Sequence, residues 1–232
     1  MQGFFSRRNA LLKELRMHEI YHQALDSLLP SLHLESVSEV DPVVAHHVPS
    51  PWQVLGCGNY AAVLCHPAFD DVVVKIYAPG RPGLEEEVRV YEHLGQHPSF
   101  SECLGRGDNF LILKRMHGVT LYDCVLRGIR IPSQVITDID EALRYSISQG
   151  LTPHDVHGRN IMLSEGRGVI VDVSDFLIPE DCGAWEDIKR AYFWVYRPWI
   201  YPFGWRVPAA LLNLLRFSYR KSRRVRSWIS RT

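Results

Sequence analysis

Between Gln53 and Met116 the apolar residues fall in short β-branched runs, whereas after Ser133 they recur three or four apart, so the chain must build a sheet before it builds a helical layer. The runs VLGCG, AAVLC and VVVKIY predict three strands, with PGRPG breaking the chain after the third. LEEEVRVYEHL then has helical character, and NFLILKRM returns to the strand pattern. Ile136, Ile139, Leu143 and Ile147 mark one face of a helix over Ser133–Gln149, and Gly150 is placed to end it. Ahead of the sheet, Leu11, Leu12, Leu15, Ile20, Ala24, Leu25 and Leu28 predict an amphipathic helix over residues 7 to 29, closed by Pro30. Residues 31 to 50 mix Ser, Pro and His without a sustained period and read as a linker or a wrapping arm. The fold class expected is α+β, with a sheet-rich part followed by a mainly helical one.

At 232 residues, 46% of them hydrophobic, the chain can bury a sizeable core, and its longest apolar stretches, such as Val207–Leu215, are too short to predict a transmembrane segment. The N-terminal MQGFFSRRNALLKELR turns charged before any long apolar region develops, so a secretory signal is not expected and a cytoplasmic location is the default. Five cysteines (57, 65, 103, 124 and 182) include no C-x-x-C pair, which argues against a disulfide framework or a thiolate zinc site. Net charge is zero, yet from Ile188 onward there are 11 Lys and Arg and no Asp or Glu. The end of the chain is basic, and the rest is acidic.

Several polar residues sit where folding alone gives them little reason to be. Gly56 and Gly58 flank a tight reversal, either a plain hairpin or a place where backbone can approach a phosphate. Lys75 interrupts an apolar strand and must either face solvent or meet a partner inside. Glu85, Glu86 and Glu87 open the next helix, where carboxylates suit the positive end of the dipole and where Glu87 has the register to meet Lys75. In LTPHDVHGRNIML, Asp155 precedes Asn160 by five positions, and Asp172 stands at the exit of the apolar run GVIVDV. Each could be an ordinary turn or strand-end residue. All of them in this order and spacing are hard to attribute to turns.

Taken together they resemble the protein-kinase superfamily: a Gly-rich loop, a lysine in the V-A-I-K manner, a helix glutamate, a catalytic D-x-x-x-x-N and the D-F-G position. The resemblance runs from about Gln53 to Phe176. It implies a bilobal kinase-like fold, with an N-lobe sheet plus one helix at about 51–116, a reduced helical C-lobe at about 117–206, an extension over 1–50 and a basic tail over 207–232. It also implies ATP and Mg2+ as cofactors. Gly56, Gly58 and Val63 would cover the nucleotide, Lys75 would contact phosphates while paired with Glu87, and Leu113, Arg115 and Met116 would belong to the hinge at adenine. Asp155 would position and deprotonate the attacking hydroxyl, and Asn160 and Asp172 would hold magnesium.

The departures resemble compact atypical kinases, such as the RIO group, lipopolysaccharide kinases and aminoglycoside kinases. Ala61 replaces the third glycine, Pro153 and His154 precede Asp155, and D-F-G reads Asp172-Val173-Ser174. His157 stands where Ser/Thr kinases carry lysine, and A-P-E is missing from the short stretch between Ser174 and Trp185. A metal site built on His154, Asp155 and His157 is a competing reading.

The expected activity is therefore ATP- and Mg2+-dependent transfer of a phosphoryl group to a hydroxyl-bearing acceptor, first a Ser or Thr of a protein, alternatively a small molecule or lipid-linked sugar. A nucleotide-binding scaffold without catalysis is the third alternative. Residues 192 to 205, with eight aromatics in fourteen positions, are expected to pack inside the helical part. Beyond Pro208, which should open a helix, Arg216, Arg220 and Arg223 or Arg224 form a cationic stripe. Residues 216–231 could meet anionic lipid, nucleic acid or an acidic protein surface, so association with a membrane periphery is one of the expectations.

Overall fold

A computed structural model describes Arg16 and residues 18–38, 41–180 and 183–213. Antiparallel sheets and several helices make it α+β. The backbone divides into two compact units. The first comprises Met1–His117, Ala142–His154 and Val171–Cys182, and the second Gly118–Glu141, Asp155–Ile170 and Gly183–Thr232.

The first unit opens on a helix whose last turn, Ala24–Leu28, widens into π geometry; Ile20, Ala24 and Leu28 are buried, while Leu25 faces solvent. The part of the expected helix before Arg16 lies outside the described residues. The stretch from 31 to 50 differs from the irregular arm its composition suggests. β1 (His33–Glu35) and β2 (Val44–His46) pair antiparallel there, with Leu34 opposite Ala45. Leu34 and neighbouring Val43 bury themselves in the same hydrophobic cluster as Ile20, Ala24, Leu28, Trp52 and the sheet residues Leu64, Val74 and Ile112. Three-residue strands are too short to display a period of two, so only burial reveals them.

The main sheet contains β3 (Gln53–Cys57), β4 (Ala61–Cys65), β5 (Val72–Tyr77), β6 (Cys103–Arg106) and β7 (Phe110–Lys114), antiparallel throughout in the order β3-β4-β5-β7-β6. Every residue of the central β5 is buried. Helix α1 (Leu84–Leu94) starts after Gly83, whose φ of +113° a side chain would strain, and its first turn carries the three glutamates.

In the second unit, β8 (Val119–Thr120) leads into α2 (Leu121–Arg127), capped where the Thr120 hydroxyl accepts from the Asp123 N–H at 3.0 Å. Helix α3 (Ser133–Ser148) buries Val135, Ile136 and Ile139 in this unit and continues into the first, where Ala142 and Leu143 are buried. Ile147, expected on the buried face, is exposed. β9 (Ile161–Ser164) and β10 (Arg167–Ile170) complete a three-stranded sheet, β10-β9-β8, so this part is less purely helical than its periodicity suggests. Gly168 is required by close approach, since a Cβ there would come within 2.7 Å of the Val135 carbonyl. Helix α4 (Ala184–Ala191) runs into a π-helical segment, Tyr192–Ile200. Helical residues resume at 209, directly after Pro208. The cationic stripe from Arg216 onward lies outside the described residues. No helix among the described residues is long and apolar enough to cross a membrane.

Asp138 pins the second unit. Its buried carboxylate takes two hydrogen bonds from Arg167, at 2.8 and 2.7 Å, one from the Gly168 N–H at 2.8 Å and one from Gln134 at 2.9 Å. Burial alone would raise its pKa, but these donors outweigh it and hold the carboxyl below the usual range. Asp138→Ala should cost about 2–4 kcal/mol in chemical denaturation at neutral pH. Because the folded-state pKa is depressed, the contribution is present above the ordinary carboxyl range and lost as pH falls through the folded value, so wild type and variant should converge in acid.

Candidate functional site

Lys75 lies mid-strand in β5, opposite Val63 of β4 and Leu111 of β7, with its side chain buried. Strand alternation left its direction open, and the ammonium points inward, to two carboxylates. Its Nζ lies 2.9 Å from Glu87 Oε1 and 2.8 Å from Oε2, and 3.1 Å from Asp172 Oδ1. Of the three glutamates opening α1, only Glu87 turns toward the lysine, and it is fully buried. Glu85 pairs with Arg106 at 2.8 Å and Glu86 with Arg89 at 3.3 Å, both at the surface. Asp172 follows β10, accepts the Ser174 N–H at 3.1 Å, and keeps 35% of its side chain exposed.

Burial would lower the Lys75 pKa, but Asp172 and Glu87 outweigh it and hold the ammonium above its ordinary value. Asp172, although burial opposes its charge, is held below the usual carboxylate range by Lys75 and the Ser174 N–H. Glu87 goes the other way. Burial, with the Asp172 charge added, pushes its carboxyl up by more than Lys75 and Tyr77 pull it down. One ammonium thus faces two carboxylates, and the deficit falls on the more deeply buried of them.

Tyr77 completes the network and Tyr91 lies beside it; neither has a motif to mark it in the sequence. Tyr77 donates its hydroxyl to Glu87 Oε2 and also meets the Gly83 carbonyl at 3.3 Å. Being two residues beyond Lys75, it shares that face of the strand, which is the signal that could have identified it. Tyr91, one turn after Glu87 on α1, has a buried hydroxyl without a hydrogen-bond partner.

Gly56 and Gly58 frame the β3–β4 reversal, which closes through Gly58 N–H to the Ala61 carbonyl at 2.8 Å. A Cβ at Gly56 would meet nothing within 4 Å, and one at Gly58 only the Ala61 carbonyl at 3.7 Å. The protein's own packing therefore does not explain Gly56. Across the sheet, Leu113 is buried within β7, and Arg115 sends its guanidinium to Asp70 at 2.8 Å. The Lys114 and Arg115 N–H groups are committed to the Glu102 and Asp71 carbonyls at 2.9 and 2.8 Å, which narrows the backbone donors that Leu113–Met116 could offer a ligand.

In the second unit, Asp155 adopts φ of +52°, a left-handed conformation uncommon outside glycine. The loop around it is tied at several points. Asn160 donates from Nδ2 to the Asp155 carbonyl at 3.1 Å and from its backbone to the His157 carbonyl at 2.9 Å, and the Tyr122 N–H donates to the Gly158 carbonyl at 2.8 Å. His157 Nε2 lies 3.5 Å from Asp155 Oδ2, and the Arg159 guanidinium stacks over the Tyr122 ring at 3.6 Å. Aspartate is among the non-glycine residues that adopt this conformation most readily, and His47 and Glu165 adopt it as well. The competing metal reading finds no support: His154 directs Nδ1 to the Glu180 carbonyl at 2.7 Å, and among the described residues no three or more His, Cys, Asp or Glu gather as metal ligands.

No protein-family model matches the chain. Among curated proteins, the one named "Putative serine/threonine-protein kinase YrzF" from Bacillus subtilis (strain 168) is 33% identical over 137 residues, which cover 59% of this chain and 63% of that protein. The match thus spans less than two thirds of either. It supports a kinase-like relationship and does not bear on the compact atypical subtypes.

Removing the ammonium should be costly, because Glu87 would remain buried beside a second carboxylate. Lys75→Met is expected to lose about 3–5 kcal/mol in urea unfolding at neutral pH. Glu87, whose pKa already stands above its unfolded value, should rise further in the variant. A raised folded-state pKa contributes stability below the unfolded value and loses it as pH rises through the folded one, so Lys75→Met should be less stable at pH 8 than at pH 5. Adding Glu87→Gln should remove that slope.

Proposed function

We propose that the chain is an ATP- and Mg2+-dependent phosphotransferase that moves the γ-phosphoryl group of ATP to a hydroxyl, preferentially that of a Ser or Thr side chain. The observation that carries this reading is the buried Lys75, shared between Glu87 and the partly exposed Asp172. A purely structural ion pair would need one carboxylate. Here a second is added on the exposed side and leaves one formal negative charge over, which suits a site awaiting a cation and an anionic ligand. The 33% identity to a protein named as a serine/threonine kinase supports it independently.

Each unit holds oxygen donors of the kind the reading requires. Asp172 offers carboxylate oxygen, and Asn160, whose amide N–H goes to the Asp155 carbonyl, has its amide oxygen as the acceptor end; oxygen donors of this kind suit magnesium. The unexplained space above Gly56 suits backbone that a phosphate approaches closely. When bound, magnesium would neutralise charge on the phosphate oxygens. Lys75, oriented by Glu87, would hold the α- and β-phosphates, with Tyr77 fixing the glutamate in turn. Asp155 would accept the hydroxyl proton as the acceptor oxygen bonds to the γ-phosphorus and the bond to the bridging oxygen of departing ADP breaks. Leu113–Met116 would meet adenine through the backbone groups not already committed. Catalysis in this scheme is positioning and charge neutralisation.

His157, 3.5 Å from the Asp155 carboxylate, favours a second reading, a kinase for hydroxylated small molecules, since a histidine takes the place of the lysine that a Ser/Thr kinase carries there. The two readings differ in acceptor and not in chemistry.

Transfer of labelled γ-phosphate from ATP with magnesium should occur with the intact chain and fall by about 10²-fold or more in Asp155→Ala. Label on protein would assign the first reading and label on an added small hydroxyl compound the second; equal transfer by variant and wild type would refute both. Gly56→Val should leave unfolding midpoints unchanged or slightly higher, since β-branched residues suit an exposed strand, yet raise KM for ATP by about tenfold. An unchanged KM would remove Gly56 from the nucleotide site.

A further inference from the structure

The π-helical segment Tyr192–Ile200 and the turn after it present two unlike faces. In a π turn, residues four and five apart share a side. Tyr192 and Tyr196 are buried and bonded inward: the Tyr192 hydroxyl reaches the Ile131 carbonyl at 3.0 Å, and the Tyr196 hydroxyl meets the Ile131 N–H at 2.9 Å and the Ile129 carbonyl at 3.2 Å. Trp194, Val195 and Trp199 stand on the other side. With Phe203 and Trp205, whose rings stack at 4.9 Å, they form a run of large apolar side chains facing water. Trp194 is 78% exposed, Trp199 67% and Trp205 58%. The sequence expectation that this aromatic run packs inside is therefore corrected: two tyrosines do, and the tryptophans do not. Exposed aromatics gathered on one side of a segment are what a contact surface offers.

Charge and composition identify what would cover it. From Ile188 to the end there are 11 basic residues and no acidic one, so the complementary surface is anionic. Arg197 and Arg206 are exposed within the aromatic stretch itself. Stacking platforms for single-stranded nucleic acid also combine rings with basic residues, but here the rings continue into an aliphatic run, VPAALLNLL, in which Leu211 is exposed. Bases have no use for such a run, whereas the boundary between lipid headgroups and acyl chains does. Tryptophan suits that boundary especially, with its ring in the apolar layer and its N–H in the headgroup water. With the tryptophans on one side of the segment and the tyrosines bonded inward on the other, contact would be with one face of a bilayer.

We propose that residues 193–206 seat the chain on an anionic lipid surface, with Trp194, Trp199 and Trp205 entering the headgroup boundary and Arg197 and Arg206 matching the lipid phosphates. The seat is independent of the phosphotransferase reading and would serve a scaffold equally well.

The test uses the full chain and sedimentation with vesicles of phosphatidylcholine, with and without phosphatidylglycerol. Binding is expected only with the anionic lipid, weakening as salt rises, with tryptophan emission shifting to shorter wavelength. Trp194→Ala/Trp199→Ala/Trp205→Ala should unfold at the same temperature as wild type, these side chains being exposed, and bind the anionic vesicles at least about tenfold more weakly. Absence of binding to anionic vesicles would overturn the proposal. So would equal binding by the triple variant, which would mean attraction by charge alone. A wild type that self-associates without lipid, and a variant that stays monomeric, would assign the face to a second copy of the chain. Loss of oligonucleotide binding without any lipid binding would assign it to nucleic acid.

Discussion

A lysine ammonium inside an all-buried strand is the constraint on which the first unit depends. Taking that charge out of water costs several kcal/mol unless charged partners reach it with good geometry. Meeting the requirement brings together pieces far apart in the chain: β5 for Lys75, the first turn of α1 for Glu87, and the segment after β10 for Asp172, 97 residues from the lysine. Gly83 and Gly95 define the ends of α1, with the Gly95 N–H bonding back to the Tyr91 carbonyl, so the helix presents Glu87 and Tyr91 one turn apart on one side. Tyr77 then bridges strand and helix through the second oxygen of Glu87. Strand, helix and exit loop are each ordinary; the buried charge makes them mutually dependent.

The second unit uses an acid where the first uses a base. Asp138, on the buried face of α3, is matched by the forked guanidinium of Arg167 and the neighbouring Gly168 N–H, and that fixes β10 against the helix. The two buried charges differ in how completely they are satisfied. Asp138 takes four hydrogen bonds and its carboxyl is stabilised as the anion, whereas the Glu87 carboxyl is pushed up because burial, with the Asp172 charge added, outweighs the lysine it shares. A satisfied charge serves architecture. The lysine, the buried glutamate and the partly exposed aspartate stand in the motif order that resembles a kinase.

Legibility in the sequence followed the strength of local pattern. β3, β4, β5, β7, α1 and α3 could be anticipated because each has five or more residues with a sustained period. β1 and β2 could not, being three residues each among Ser, Pro and His, and neither could the two-residue β8. That Lys75 and Glu87 meet was readable from register, but the inward direction of the lysine was not, since alternation allows either face and only the burial of all six β5 residues decides it. Tyr77 is hidden for a related reason: a tyrosine in an apolar strand reads as core until its hydroxyl has a named partner. Ile147 misled because a helical face drawn from periodicity continues past the point where the neighbouring layer ends.

The aromatic segment shows the same limit in its sharpest form. YFWVYRPWIYPFGW is almost uniformly apolar, and uniform hydrophobicity carries no information about which side is buried. The π geometry supplies that information by setting the repeat at four to five residues, which gathers Tyr192 and Tyr196 on the side that faces α3's leading loop and leaves the tryptophans opposite. The tyrosines are fully accounted for by folding, since each hydroxyl finds a backbone partner. The tryptophans are not: large rings in water add nothing to the stability of the fold that holds them. A segment that satisfies its polar aromatics internally and turns its tryptophans outward has only one of its two faces set by the fold.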